Sequence, residues 1–96
     1  MRVVISNKAR SDLLRIYRHL DERSPNPANT FIQRIDTNFD NLTRFPFIGR
    51  ARSTLAPGLR CLVVGLHLIF YTVDPDEITV VRVIDDRMDV DEEFHR

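Results

Sequence analysis

The sequence predicts a two-layer α+β fold of order β-α-α-β-β-β, an antiparallel helix hairpin packed on one face of a small antiparallel sheet. Three observations predict it. A short β-branched run opens the chain, two amphipathic stretches follow across a proline-rich breaker, and alternating segments joined by tight turns lead towards its end. At 96 residues the chain is read as one domain, 1–96, near the lower end of what buries a core of its own.

Arg2 to Ser6 is the first strand. Ser6 or Asn7 can cap the helix that follows, because a short side-chain oxygen accepts from an amide two or three residues on. In that helix Ala9, Leu13, Ile16, Tyr17 and Leu20 fall on one face, with Asp12, Arg15, Arg18 and Asp21 elsewhere. Ser24-Pro25-Asn26-Pro27 ends it. Asn26 then caps the second helix, with Pro27 in the first turn. That helix carries Ala28, Phe31, Ile32, Ile35, Phe39 and Leu42 on one stripe, so the two form a hairpin.

Phe45 to Gly58 reads as a loop, with two prolines, two glycines and no sustained period. Three strands follow: Arg60 to Val64, His67 to Val73 and Ile78 to Ile84. Gly65 marks the first turn or a bulge, and Asp74-Pro75-Asp76-Glu77 forms the second turn. Connections this short permit only an antiparallel meander. The helices bury their stripes on one face of it, which leaves the other uncovered.

The formal net charge is zero, which argues against a protein that coats nucleic acid. The zero hides an asymmetry. Residues 85–96 hold six acids, Asp85, Asp86, Asp89, Asp91, Glu92 and Glu93, against Arg87 and Arg96, and read as a solvated tail. From Arg44 to Arg60 there are four arginines and no acid, and Lys8 is the only lysine of the chain. Guanidinium groups suit an interface because they bond in two places and tolerate partial burial. Codon bias in a GC-rich genome would give the same excess. Cys61 is the only cysteine, so no intrachain disulfide forms and a reducing, cytoplasmic setting is expected. Met1 leads directly into Arg2–Ile5, too short a run for a signal peptide, and no apolar stretch reaches membrane-spanning length.

Metal and cofactor chemistry are not expected. His19, His67 and His95 are scattered, no ligand pair has zinc spacing, and the acidic clusters lack a glycine-turned calcium loop. No glycine-rich loop opens a helix to cradle phosphate. Nothing in the spacing sets a base beside Cys61, which lies in an apolar strand. RNA cleavage is the serious catalytic candidate, with Arg60, Arg82 and Arg87 as cations and His67 or Tyr71 for proton transfer. Asp85 and Asp86 oppose it, because they set negative charge beside a polyanion. Binding is the remaining class. Arg82 interrupts an apolar strand, so it faces water across the sheet or pairs with a carboxylate such as Asp85 or Asp86. Leu14, Ile48 and Leu55 lie off the core stripes. They either cap the core edges or await a partner that docks as a helix or an added strand, with acids for Arg50, Arg52, Arg60 and Arg82.

Ser6-Asn7-Lys8-Ala9, Asp12-Leu13 and Ile16-Tyr17 stand at the start of the chain. Phe45-Pro46, Gly49-Arg50, Leu55 and Pro57-Gly58-Leu59-Arg60 follow, then Ile69-Phe70-Tyr71 and Arg82-Val83-Ile84 with Arg87 and Asp89. In this order and spacing the chain resembles the ParE-like branch of the RelE/ParE toxin superfamily. The resemblance implies the toxin of a type II toxin–antitoxin module, neutralised by a cognate ParD-like antitoxin in a hetero-oligomer. It implies action on DNA gyrase, which ParE-like toxins trap on cleaved DNA without chemistry of their own. It implies no catalytic residue, no cofactor, no sequence-specific DNA binding and no membrane. The expected target-binding residues are Arg82, Arg87 and Arg60. The expected antitoxin-binding residues are Leu14, Ile48, Arg50, Arg52 and Leu55. The RelE branch instead cuts mRNA on the ribosome, and that ribosome-dependent endoribonuclease is the alternative. The chain departs from the RelE pattern: no tyrosine follows Arg82, and Asp85-Asp86 replace the common His-Gly.

Overall fold

Five strands form one sheet in the order β1-β5-β4-β3-β2: β1 (Arg2–Ile5), β2 (Arg50–Ala51), β3 (Arg60–Val64), β4 (His67–Val73) and β5 (Glu77–Asp85). Among the described residues three helices join them: α1 (Asn7–Asp21), α2 (Pro25–Arg44) and α3 (Val90–Phe94). The computed structural model describes residues 1–22 and 25–95. Ser24, the first residue of the expected breaker, lies outside the described residues.

The meander β3-β4-β5 is antiparallel, as expected. Gly65 turns β3 into β4 at φ +60, and the Asp74 amide donates to the Glu77 carbonyl at 2.8 Å in the next turn. The sheet as a whole is mixed, which corrects the expected antiparallel one. β1 runs parallel to β5, with Val3 opposite Ile78. Its chain returns only after the helix hairpin and the meander, and a connection that long removes the hairpin constraint on direction. A second correction lies inside the expected loop, where Arg50 and Ala51 pair with Cys61 and Arg60 as a fifth, terminal strand.

Ser6 caps α1. Its Oγ accepts from the Ala9 amide at 3.1 Å and donates to the Val81 carbonyl at 3.0 Å, so the cap also fixes the helix start to β5. The second helix starts at Pro25, and the expected cap Asn26 lies inside it. Both prolines sit in the first turn, where their missing amides cost no intrahelical bond.

The two faces of the sheet are covered differently. Ala9, Ile16, Phe31, Ile35 and Leu42 of the helices pack on Ile69, Tyr71, Ile78, Val80 and Val83. The other face was expected to be open, and it is not. Leu55 and Leu59 from one side, and Met88, Val90 and Phe94 from the other, pack with Cys61, Phe70 and Ile84. The Phe94 ring meets Phe70 edge-on at 4.7 Å, a contact that adds about 0.5–1.5 kcal/mol beyond its buried area. The C-terminal segment is therefore not a solvated tail. Asp89 caps α3 by accepting from the Glu92 amide, and Val90 and Phe94, four residues apart, face the sheet together.

One irregularity positions the site. Tyr71 lies opposite Val80 while Phe70 lies opposite Arg82, so Val81 is an extra residue in β5. Strict alternation from Ile78 and Val80 would place residue 82 against the helices. The bulge gives that place to Val83 and sets Arg82 beside Phe70 instead.

Candidate functional site

Arg82 is the centre of a buried ion-pair group. Its side chain is 8% exposed. Nε donates to Asp12 Oδ2 at 2.7 Å and Nη2 to Asp12 Oδ1 at 3.1 Å. Nη2 also reaches Glu93 Oε1, and Nη1 the Glu93 carbonyl, both at 3.2 Å. These bonds, led by the one to Asp12, hold the guanidinium above its ordinary pKa. Asp12 also accepts from the Val83 amide at 3.0 Å, where β5 has run past the end of β1. The group thus joins α1, β5 and α3. The expected partners Asp85 and Asp86 are not used, and Arg82 offers no exposed face as a target-binding cation. It is a side chain that positions other elements.

Arg60 serves a second local structure. Its Nη1 donates to the Gly49 carbonyl at 2.6 Å and the Phe47 carbonyl at 3.3 Å, and its guanidinium carbon lies 4.9 Å from the Phe47 ring centre. The buried Tyr71 hydroxyl accepts from the Gly49 amide at 2.8 Å. A Cβ on Gly49 would stand 2.5 Å from that hydroxyl, so the strand-to-loop approach requires glycine there. The segment held this way exposes Phe45, Phe47 and Ile48 beside Arg50 at the free edge of β2. Arg52 and Leu55 lie half-buried behind it, with Leu55 against the second core cluster. Leu14 is 49% exposed, but on α1, which packs on β5 towards the other end of the sheet. The fold therefore groups Ile48, Arg50, Arg52 and Leu55 with Arg60, and leaves Leu14 apart.

Arg87 occupies a third place. Its side chain is 80% exposed, and it bonds Asp85 at two points, Nε to Oδ1 at 3.1 Å and Nη2 to Oδ2 at 2.9 Å. Those bonds, with one from the Arg87 amide, press the Asp85 carboxyl far below the usual carboxylate range. Beside the pair a cleft of about 590 Å³ opens between α1 and the turns after β3 and β5. His67 lines it, its ring 4.8 Å from Phe31 and its pKa lowered, chiefly by burial. Arg60, Arg82 and Arg87 do not converge.

Tyr71 and Cys61 are buried, and burial raises both pKa values. Among the described residues no three His, Cys, Asp or Glu side chains cluster to hold a metal ion, and no helix is long and apolar enough to cross a membrane. Sequence reasoning missed Asp12 and Glu93. Asp12 falls between Ala9 and Ile16 on the buried stripe of α1, so helical spacing alone could have found it. Glu93 was legible only through Val90 and Phe94, an apolar pair one turn apart behind the cap-forming Asp89.

The chain is similar to known proteins along most of its length. Residues 3–90 match the family model described as "ParE toxin of type II toxin-antitoxin system, parDE". The chain is 32% identical over 90 residues to Toxin ParE3 of Caulobacter vibrioides, covering 93% of this chain and 90% of that protein. It is 40% identical over 65 residues to Toxin ParE1 of Mycobacterium tuberculosis, covering 67% and 66%. A solved structure titled "Chromosomal ParDE TA system from P. aeruginosa" superposes with a TM-score of 0.74 at 26% identity, covering 88% of this chain and 95% of that one.

Proposed function

The chain belongs to the ParE toxin family of type II toxin–antitoxin systems, and on that premise we propose that it inhibits DNA gyrase by binding and is neutralised by a cognate ParD-like antitoxin. The toxin in this reading makes and breaks no bond. What supports it is that two of the groups weighed for RNA cleavage are engaged inside the protein. Arg82 spends four of its hydrogen bonds on Asp12 and Glu93, and the Tyr71 hydroxyl is buried on Gly49.

The antitoxin is assigned to the β2 end of the sheet. There a free strand edge, exposed Phe45, Phe47 and Ile48, and the cations Arg50, Arg52 and Arg60 favour an extended segment carrying apolar and acidic side chains. Leu55 supports that surface from behind, and Leu14 offers a separate contact on α1. The target is assigned to the opposite side, at Arg87. Arg82 serves it by holding α1, β5 and α3 in place.

A supercoiling assay with the purified chain tests this reading. The expected result is inhibited supercoiling with intact RNA, reversed by the antitoxin. Codon-phased mRNA cuts with unimpaired supercoiling would instead make the chain a ribosome-dependent endoribonuclease.

A further inference from the structure

The cleft beside Arg87 is built from three segments that the sequence does not bring together. α1 contributes Arg15, Ile16, His19 and Leu20, the β3–β4 turn Leu66 and His67, and the turn after β5 Asp85 to Met88. The two turns are fastened to each other, since the Asp86 amide donates to the Leu66 carbonyl at 2.8 Å. A second hollow of about 420 Å³ adjoins the first and shares Leu20, Leu66 and His67 with it. Arg34 also lines it, its guanidinium 3.1 Å from where a Cβ of Gly65 would stand. The result is a groove with an apolar floor, Arg15 and Arg34 on the helix side and Asp85, Asp86 and Arg87 on the opposite wall.

Three features say what the groove fits. Leu66 is 66% exposed at the junction of the two hollows, an apolar side chain held in water by a tight turn. Arg15 is half exposed, and its one ion pair among the described residues is a 3.4 Å contact to Asp12. That long contact engages a single nitrogen, so the half-exposed guanidinium keeps donors for a further acceptor. On the other wall Arg87 neutralises Asp85, and Asp86 would repel a second acid. The charge pattern therefore favours one carboxylate on the α1 side, next to an apolar side chain seated on Leu66, Leu20 and Met88.

From this geometry we infer that the groove between α1 and the turns after β3 and β5 takes a segment of the target protein bearing an apolar side chain beside a carboxylate. Leu66 and Arg15 are its recognition residues. The inference rests on the gyrase reading above and gives that reading its contact site. None of the residues that line the groove belongs to the β2 surface assigned to the antitoxin.

Leu66→Ser and Arg15→Gln test it, each assayed for supercoiling inhibition and for rescue by the antitoxin. Leu66 stands largely in water and Arg15 is half exposed with a single long ion pair to Asp12, so both variants are expected to keep a denaturation midpoint close to wild type, which is measured alongside. Leu66→Ser is expected to raise the toxin concentration for half-inhibition about tenfold, the loss typical of an interface anchor. Arg15→Gln is expected to raise it severalfold, and antitoxin rescue should stay as in the wild type. Wild-type potency in both folded variants, beside an active wild-type toxin, overturns the inference and leaves the gyrase reading intact. Loss of antitoxin rescue with full gyrase inhibition assigns the groove to the antitoxin and also overturns it. A wild-type chain that does not inhibit gyrase removes the reading itself, and the inference with it.

Discussion

Asp12 and Arg82, seventy positions apart, meet in a two-point ion pair at 2.7 and 3.1 Å where β5 outruns β1. The carboxylate also takes the Val83 amide, so one side chain closes a strand edge and neutralises a buried cation. Such a pair is weak evidence for net stability, because burying both charges costs several kcal/mol. Removing one partner is another matter, since it leaves a charge without either water or a counter-ion.

Asp12→Ala is therefore expected to destabilise the fold by about 3–5 kcal/mol, as loss of one member of a buried pair does. In a domain of this size each kcal/mol lowers the melting temperature by about 4–8 °C. Asp12→Ala combined with Arg82→Met is expected to be less damaging than the single change. Urea denaturation of Asp12→Ala, of Arg82→Met alone and of the double variant measures the coupling, and simple additivity would show that the pair does not act as a unit.

Tyr71→Phe deletes the acceptor for the Gly49 amide while keeping the ring in the core. The expected cost is about 1–3 kcal/mol, the penalty for an unsatisfied buried donor. Faster hydrogen exchange at Gly49 and weaker antitoxin binding should accompany it, because the Phe47 segment loses one of its two fastenings. Gly49→Ala should do more harm, since the new Cβ meets the Tyr71 ring and hydroxyl. An unchanged exchange rate at Gly49 in Tyr71→Phe would show that Arg60 holds the segment by itself.

Arg87 should separate function from folding. Its guanidinium is in water, so Arg87→Ala is expected to leave the denaturation midpoint close to wild type. The Asp85 carboxyl should move part of the way back towards the ordinary carboxylate range in an NMR titration, because the largest cause of its depression is the side-chain bond from Arg87, while the amide bond stays. Gyrase inhibition should fall sharply. Full potency in this variant would remove Arg87 from the mechanism.

The pH dependence of stability has a defined sign at His67. Burial lowers its folded pKa, with Asp85 and Asp86 opposing the shift and Arg87 adding to it. The unfolded chain therefore binds the proton more readily. The neutral ring contributes its full stability above the unfolded value of about 6.5, and the contribution is lost as pH falls below that value towards the folded one. Denaturant midpoints measured from about pH 8 down to about pH 5 should drop in the wild type and drop less in His67→Gln. Parallel curves would show that His67 titrates alike in both states.

Local patterns were legible wherever one segment carried the whole signal. The 3.6-residue spacing of Ala9, Ile16, Phe31 and Ile35 marked the two helices, Ser6 marked a cap, and short turns forced the meander. The acid-free arginine run marked a cationic stretch, and Ile48, Arg50, Arg52 and Leu55 lie near Arg60. Pairing between distant segments was not legible. β1 joined β5 in parallel, residues 50–51 became a fifth strand, and the acidic end of the chain folded back as α3.

Arg82 shows the physical reason. By itself the sequence determined that a cation interrupts an apolar strand, and that cost had to be met by water or by a carboxylate. Which one depended on the bulge at Val81, a matter of register between two strands, and on where α1 and α3 came to rest. Periodicity and composition are properties of a single stretch of chain. The neutralisation of a buried charge is a property of three elements meeting in space, and only the tertiary structure could decide it.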